Sequence, residues 1–219
     1  MTEIKKGIFN QTFHTNEMKK NILLFLIMVY NVGHTFCQLS SATSKTIDSL
    51  IIEDQRWRHL ASKVYKGEVD TIDIIKVQKK VQETDSLNYI LIKDLFEKHG
   101  YLGYNQVGKK SSHNFWLLVQ HADKHPDFQL EVLKKMKVET EKQNSSKKDY
   151  AYLIDRVKIN SGELQIYGTQ MELNATETSY QTKPVIDPEN LNKRRDSVGL
   201  SPIEIYVTMM NENFLKRSE

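Results

Sequence analysis

One cysteine stands in 219 residues, Cys37. A form of the chain processed after that position has no disulfide, no thiolate nucleophile and no cysteine-held metal. Prolines number four and glycines nine, with no low-complexity tract and no internal repeat, which points to one folded unit without long linkers. A charge of one sign is lacking too. The net charge is +3, and the first 37 residues carry Lys5, Lys6, Lys19 and Lys20 against Glu3 and Glu17, so the remainder holds +1. That balance argues against nucleic acid as a partner, and Lys134-Lys135 and Lys147-Lys148 read as solvated helix faces. Long hydrophobic runs are missing as well. The apolar run from Ile22 to Tyr30 falls far below the roughly 18 residues that a spanning helix needs, so no stable membrane insertion is expected.

The flanks of that run are informative. Met18-Lys19-Lys20-Asn21 precedes it, and Asn31-Val32-Gly33-His34-Thr35-Phe36-Cys37-Gln38 comes after, the basic, apolar and small-residue parts of a secretory signal. Residues 1–17 read as an upstream over-read, 18–37 as a signal peptide and 38–219 as a single mature domain. Cleavage after Cys37 places Thr35 and Cys37 at the −3 and −1 positions; cleavage after Ala42 is the second option. A lipid-anchoring motif wants a small residue before its cysteine, and Phe36 stands there. The expected location is periplasmic or secreted, and without disulfides the core alone must hold the domain.

Periodicity sets the fold class. Ile47, Leu50, Ile51, Trp57, Ala61 and Val64 predict a helix over 46–66. Two more are expected at 71–83 and from Leu87 to Gly100, with Leu87, Ile90, Leu91 and Leu95 on the buried face. Residues 100–108 hold three glycines and read as a connector that matches no phosphate-binding fingerprint. Helices follow at 112–123, from Pro126 to about 142, and at 147–159 behind a capping Ser146. From 163 the period becomes two, which predicts a strand over 163–172 with an antiparallel partner at about 179–186. Asp187-Pro188 and Ser201-Pro202-Ile203-Glu204 open two last helices. The expectation is a mainly helical α+β domain of about seven or eight helices with a small antiparallel β-hairpin late in the chain.

Polar residues at core-facing positions mark candidate chemistry. His121 and His125 have the spacing of two ligands on one helix face, but Ala122 stands where a zinc protease carries glutamate and Pro126 discourages a helical His125, so no metal site is assigned. Asp155-Arg156 and Gln165-Ile166-Tyr167-Gly168-Thr169-Gln170 combine charge with a strand glycine; an Asp155–Arg156 ion pair with Gln170 satisfying backbone groups is the structural alternative. Arg194 and Arg195, three and four residues after Leu191, place a guanidinium at the core edge, where a carboxylate such as Asp155, an anionic ligand or simple snorkelling accounts for it.

Taken in order, Gly100-Tyr101-x-Gly103-Tyr104-x-x-Val107-Gly108, Trp116-x-x-Val119-Gln120-His121-Ala122-Asp123, Asp155-Arg156, Gln165-x-Tyr167-Gly168-Thr169-Gln170 and Asn192-x-Arg194-Arg195-x-x-Val198-Gly199-Leu200 resemble an uncharacterised bacterial family of exported proteins, domain-of-unknown-function family 6624. The resemblance runs from about Asp54 to Tyr206, and Leu102 stands where a proline is expected. It brings no activity and no cofactor; it implies that these polar residues belong together. Three functions remain open, and the binding module ranks first because no serine stands in a nucleophile-elbow context and no cysteine remains after position 37. A binding module would use Asp123, Arg156, Gln165, Tyr167, Thr169, Gln170, Arg194 and Arg195 around a small-molecule or peptide ligand of the envelope, anionic or amide-rich. A hydrolase would use His121 as general base, oriented by Asp155 or Asp123, with Tyr167 and an arginine stabilising negative charge. The third is a structural envelope protein. An oriented histidine open to a cleft separates the second from the first.

Overall fold

The computed structural model describes residues 41–215 except positions 71 and 177. The helical core and the sheet lie in one compact unit, Thr43–Glu219. The signal-peptide reading of 18–37 falls outside the described residues.

Among the described residues seven α-helices and one two-stranded sheet are found, as the patterning predicts: α1 (residues 41–65), α2 (Ile74–His99), α3 (Tyr104–Gln120), α4 (Pro126–Glu141), α5 (Lys147–Asn160), β1 (Met171–Leu173), β2 (Tyr180–Thr182), α6 (Leu191–Ser197) after a 3-10 turn, and α7 (Ile203–Leu215). No described helix is long and apolar enough to cross a membrane. The core joins Ile47 and Ile51 of α1, Ile92 and Phe96 of α2, Phe115, Leu118 and Val119 of α3, Val132 and Met136 of α4, and Leu153 and Val157 of α5. Each such side chain contributes about 1.5–3 kcal/mol by leaving water.

Four expectations about the helices change. Where two helices are expected, at 71–83 and 87–100, a single one forms, α2, because no proline or glycine lies between Ile74 and His99 to stop it; Asp73 caps its start by accepting from the Ile75 amide at 2.9 Å. Its buried face is Val77, Asn88, Ile92 and Phe96, which leaves Leu87, Ile90 and Leu91 exposed. The connector at 100–108 is shorter than expected, since α3 already starts at Tyr104. Only Gly108 inside it is non-helical, at φ 77° and ψ 164°, a conformation that glycine alone adopts without strain. At its other end α3 stops at Gln120, not at 123, so His121 caps the helix and Ala122 to His125 form a turn.

α3 is tied to α5 by His113, whose Nδ1 meets Asp149 Oδ2 at 2.9 Å, next to the Trp116 ring. The bond to Asp149 raises the His113 pKa above its ordinary value, with burial opposing. A histidine whose folded pKa is raised stabilises the fold below its unfolded pKa, and the contribution disappears as pH rises through the folded value. Wild-type protein is therefore expected to lose melting temperature from pH 6 to 8 relative to His113→Gln. The ring is half exposed, so the difference stays below about 1 kcal/mol. Parallel pH profiles for the two proteins would refute the link.

The hairpin pairs Met171 with Thr182, Glu172 with Gln181 and Leu173 with Tyr180. Asn211 of α7 clamps its end, accepting the Tyr180 amide at 2.6 Å and donating to the Tyr180 carbonyl at 3.1 Å. The strand expected over 163–172 is the main correction. Only Met171–Leu173 is strand; before it a single isolated bridge, Gln165 with Val185, runs parallel. The alternation also inverts, since Leu164 is half exposed while Gln165 and Thr169 are buried. The cause is Asp155, whose carboxylate takes the amides that a ladder would otherwise use.

Candidate functional site

The polar residues of the late motifs form a structural knot around one backbone segment. Asp155 is fully buried, and its carboxylate accepts from the amides of Ile166 (2.7 Å), Tyr167 (3.0 Å) and Thr169 (3.0 Å) and from the Thr169 hydroxyl (3.0 Å). The carbonyls of the same segment face the two arginines. Arg194 donates to Ile166 O at 2.9 Å; Arg195 donates to Tyr167 O at 2.6 Å and to Ser201 O at 2.6 Å, with its guanidinium carbon 5.1 Å from the centre of the Tyr206 ring. Aligned peptide dipoles thus lie between a buried anion and a buried cation that do not touch. Gly168 takes φ +66° at the centre, where a Cβ would approach Ile203 Cδ1 to 3.2 Å. Gln165 closes the knot, donating to Lys183 O and Gln170 O and accepting from the Gln170 amide at 2.8 Å, while the Gln170 side chain reaches Thr169 Oγ1 at 3.1 Å. Asp155 and Arg156 therefore make no ion pair with each other. Adjacent positions on a helix face different ways, and Arg156 goes to Asp123.

A second group lies around the end of α3. His121 Nδ1 meets Asp54 Oδ1 at 2.9 Å, and the Asp54 side chain is completely buried. The carboxylate that reaches His121 is thus Asp54 of α1, not Asp155, which is consumed by amides, nor Asp123, which is held by Arg156. Gln55 donates to the other Asp54 oxygen at 2.8 Å. Arg58, one turn on, meets Asp54 Oδ1 at 3.4 Å and pairs with Asp85 of α2. Ligand-capable atoms of Asp54, Asp85 and His121 all lie within 4.8 Å of one another. Asp123 receives Arg156 on both oxygens, with Asn160 at 3.1 Å and the buried Gln129 at 3.3 Å. His125, the other histidine of the pair spaced by four, stacks on Tyr89 with ring centres 3.4 Å apart and does not join His121.

Charge follows from this geometry. Burial pushes the Asp54 carboxyl up, but the bond and charge of His121, helped by Arg58 and Gln55, outweigh it and hold Asp54 below the ordinary carboxylate range. Burial wins at Asp85, which stays raised despite Arg58. At Asp123 burial again loses, to Arg156. Because the Asp54 carboxylate only accepts, the proton of a neutral His121 ring belongs on Nδ1, which leaves Nε2 as the nitrogen with no protein partner among the described residues. His121, Asp123, Lys124, His125 and Arg156 line a cleft of about 110 Å³ with Arg58, Gln82, Asp85 and Ser86. Arg58 and Gln82 also border a wider groove along α1 and α2 that reaches Leu173, Tyr180 and Phe214.

The candidate residues thus separate into a cleft with His121, Asp123 and Arg156, and a knot with Asp155, Gln165, Thr169, Gln170, Arg194 and Arg195. Tyr167, whose amide and carbonyl belong to the knot, also borders a separate surface hollow with Tyr150 and Val198. Asp54, Arg58 and Asp85 were missed by sequence reasoning. A signal existed for Asp54: it continues the buried stripe Ile47, Ile51, Asp54 at helical spacing, where a carboxylate needs a partner. No curated protein and no solved structure matches the chain. The model of a family of unknown function, DUF6624, matches residues 66–217, and the chain belongs to that family.

Proposed function

We propose that the protein is a hydrolase in which His121 takes a proton from water and Asp54 holds the imidazole and stabilises the cation that forms. The observation that supports this reading is the 2.9 Å contact between His121 Nδ1 and a fully buried Asp54 at the wall of a cleft. A carboxylate on Nδ1 fixes the tautomer, so that Nε2 is the basic nitrogen. Arg58 and Arg156, each anchored by a carboxylate, are placed to orient a polar substrate with an anionic or amide group. Water is the nucleophile because the one hydroxyl on the cleft wall, Ser86, donates to the Gln82 carbonyl at 2.8 Å, and no cysteine occurs among the described residues. The basic and apolar stretch at 18–30 supports action outside the cytoplasm, in the periplasm or beyond.

The test is a panel of chromogenic esters, phosphoesters and amides, with purified wild-type protein and His121→Ala. Turnover is expected with the wild type and a fall of about 10²–10⁴-fold in the variant. Equal rates in the two proteins would sink the assignment. A binding module is the second reading, favoured by the bidentate Arg156–Asp123 pair on the same wall. It would give ligand-dependent melting shifts without turnover.

A further inference from the structure

The Asp54–His121–Asp85 group has more ligating capacity than a general base requires. Its three side chains come from three helices or helix ends, α1, α2 and the cap of α3, so their separation is set by the packed scaffold. The 2.9 Å between His121 Nδ1 and Asp54 Oδ1 is close to the spacing of about 3 Å between neighbouring ligands on a cation with bonds of about 2.1 Å. Gln55, on the second oxygen of Asp54, supplies the outer support that orients ligating carboxylates. Two carboxylates face a single guanidinium here.

Arg58 is the obvious objection, since it already pairs with both acids. It is also the most exposed member. Its side chain is 30 % exposed, and it borders the wide groove beside Ala61, Ser62 and Tyr65, which gives the guanidinium room to turn away on its long stem. A divalent ion in its place neutralises both carboxylates and returns a cation to water. We propose that Asp54, Asp85 and His121 form a site for a first-row divalent cation, and that Arg58 competes with that cation for the two carboxylates. One imidazole and two carboxylates suit Zn²⁺ or Mn²⁺, and three protein ligands leave coordination positions for water or substrate. A cation on Nδ1 excludes the proton there, so this inference goes beyond the acid–base reading while sharing its residues.

The experiment is calorimetric titration of chelator-treated, untagged protein with ZnCl₂ and with MnCl₂, using wild type, Asp85→Asn, His121→Ala and Arg58→Met, with circular dichroism to confirm that each is folded. One equivalent is expected to bind the wild type with at least one of the two ions. Asp85→Asn and His121→Ala should weaken binding by about 100-fold or more. Arg58→Met, which removes the competitor but keeps the stem, should tighten it by about tenfold. Absence of binding to both wild type and Arg58→Met overturns the proposal, as does Asp85→Asn binding as tightly as wild type. Turnover without cation binding would sink only this site, and stoichiometric binding without turnover would sink only the hydrolase.

Discussion

Asp155→Ala is expected to cost about 3–5 kcal/mol of unfolding free energy, read from the urea midpoint at constant m-value. The substitution removes an acceptor that is fully buried and serves four donors, three of them backbone amides. An amide stranded in a dry interior costs about 1–3 kcal/mol, and bonds to a charged acceptor are the strong ones. The loss reaches further than those bonds, because Arg195 is 1 % exposed and rests on the carbonyls of the segment that Asp155 orders. Removing the anion leaves a buried cation without its long-range counter-charge, the situation that makes breaking one half of a buried pair costly. Coupling provides the check. In the double variant Asp155→Ala with Arg195→Met the cost should be smaller than the sum of the single costs, since both report on one segment. An Asp155→Ala cost below about 1 kcal/mol would mean that 165–170 holds its shape without the carboxylate.

That segment also shows where reading the sequence reaches its limit. Helical periodicity located α1, α4, α5 and α7, because the 3.6-residue repeat of apolar side chains is a local property that packing only confirms. The late antiparallel hairpin was legible for the same reason, through its period of two and its polar loop. Residues 163–170 carry that same alternation, yet their amides are satisfied by a side chain from a preceding helix, and nothing in the alternation reveals an acceptor on another element. Gly168 and Gln170 were the visible irregularities, and both belong to the knot. Boundaries inside α2 failed differently. Thr84-Asp85-Ser86 looks like a break, but once flanking turns are anchored by Val77, Asn88 and Ile92, continuing the helix satisfies the backbone better than ending it.

The candidate site was half legible. The motifs suggest one common hollow, whereas of the candidate residues only His121, Asp123 and Arg156 line the cleft, and the carboxylate beside His121 comes from α1. Asp54 escaped because one acidic residue in an amphipathic helix is ordinary; only its place on the stripe of Ile47 and Ile51 sets it apart. Asp85 had no such mark, since its meeting with Arg58 depends on how α1 and α2 pack.

Asp54→Asn is the variant in which position and charge can be separated. The amide has the same size and can still offer an oxygen to His121 Nδ1, so the ring is expected to stay in place, yet no anion remains to stabilise an imidazolium. On the hydrolase reading kcat falls by about 10³–10⁴-fold. KM should change little, because the Asp54 side chain is wholly buried and does not line the cleft. Stability supplies a readout independent of any substrate. The wild-type carboxyl is held below its ordinary value, so it contributes stability above the usual carboxylate range that is lost as pH falls through the folded value. An asparagine cannot titrate, and the acid side of the stability profile should flatten in the variant. Flattening together with an unchanged kcat would make Asp54 a partner of the fold alone, with His121 acting unassisted.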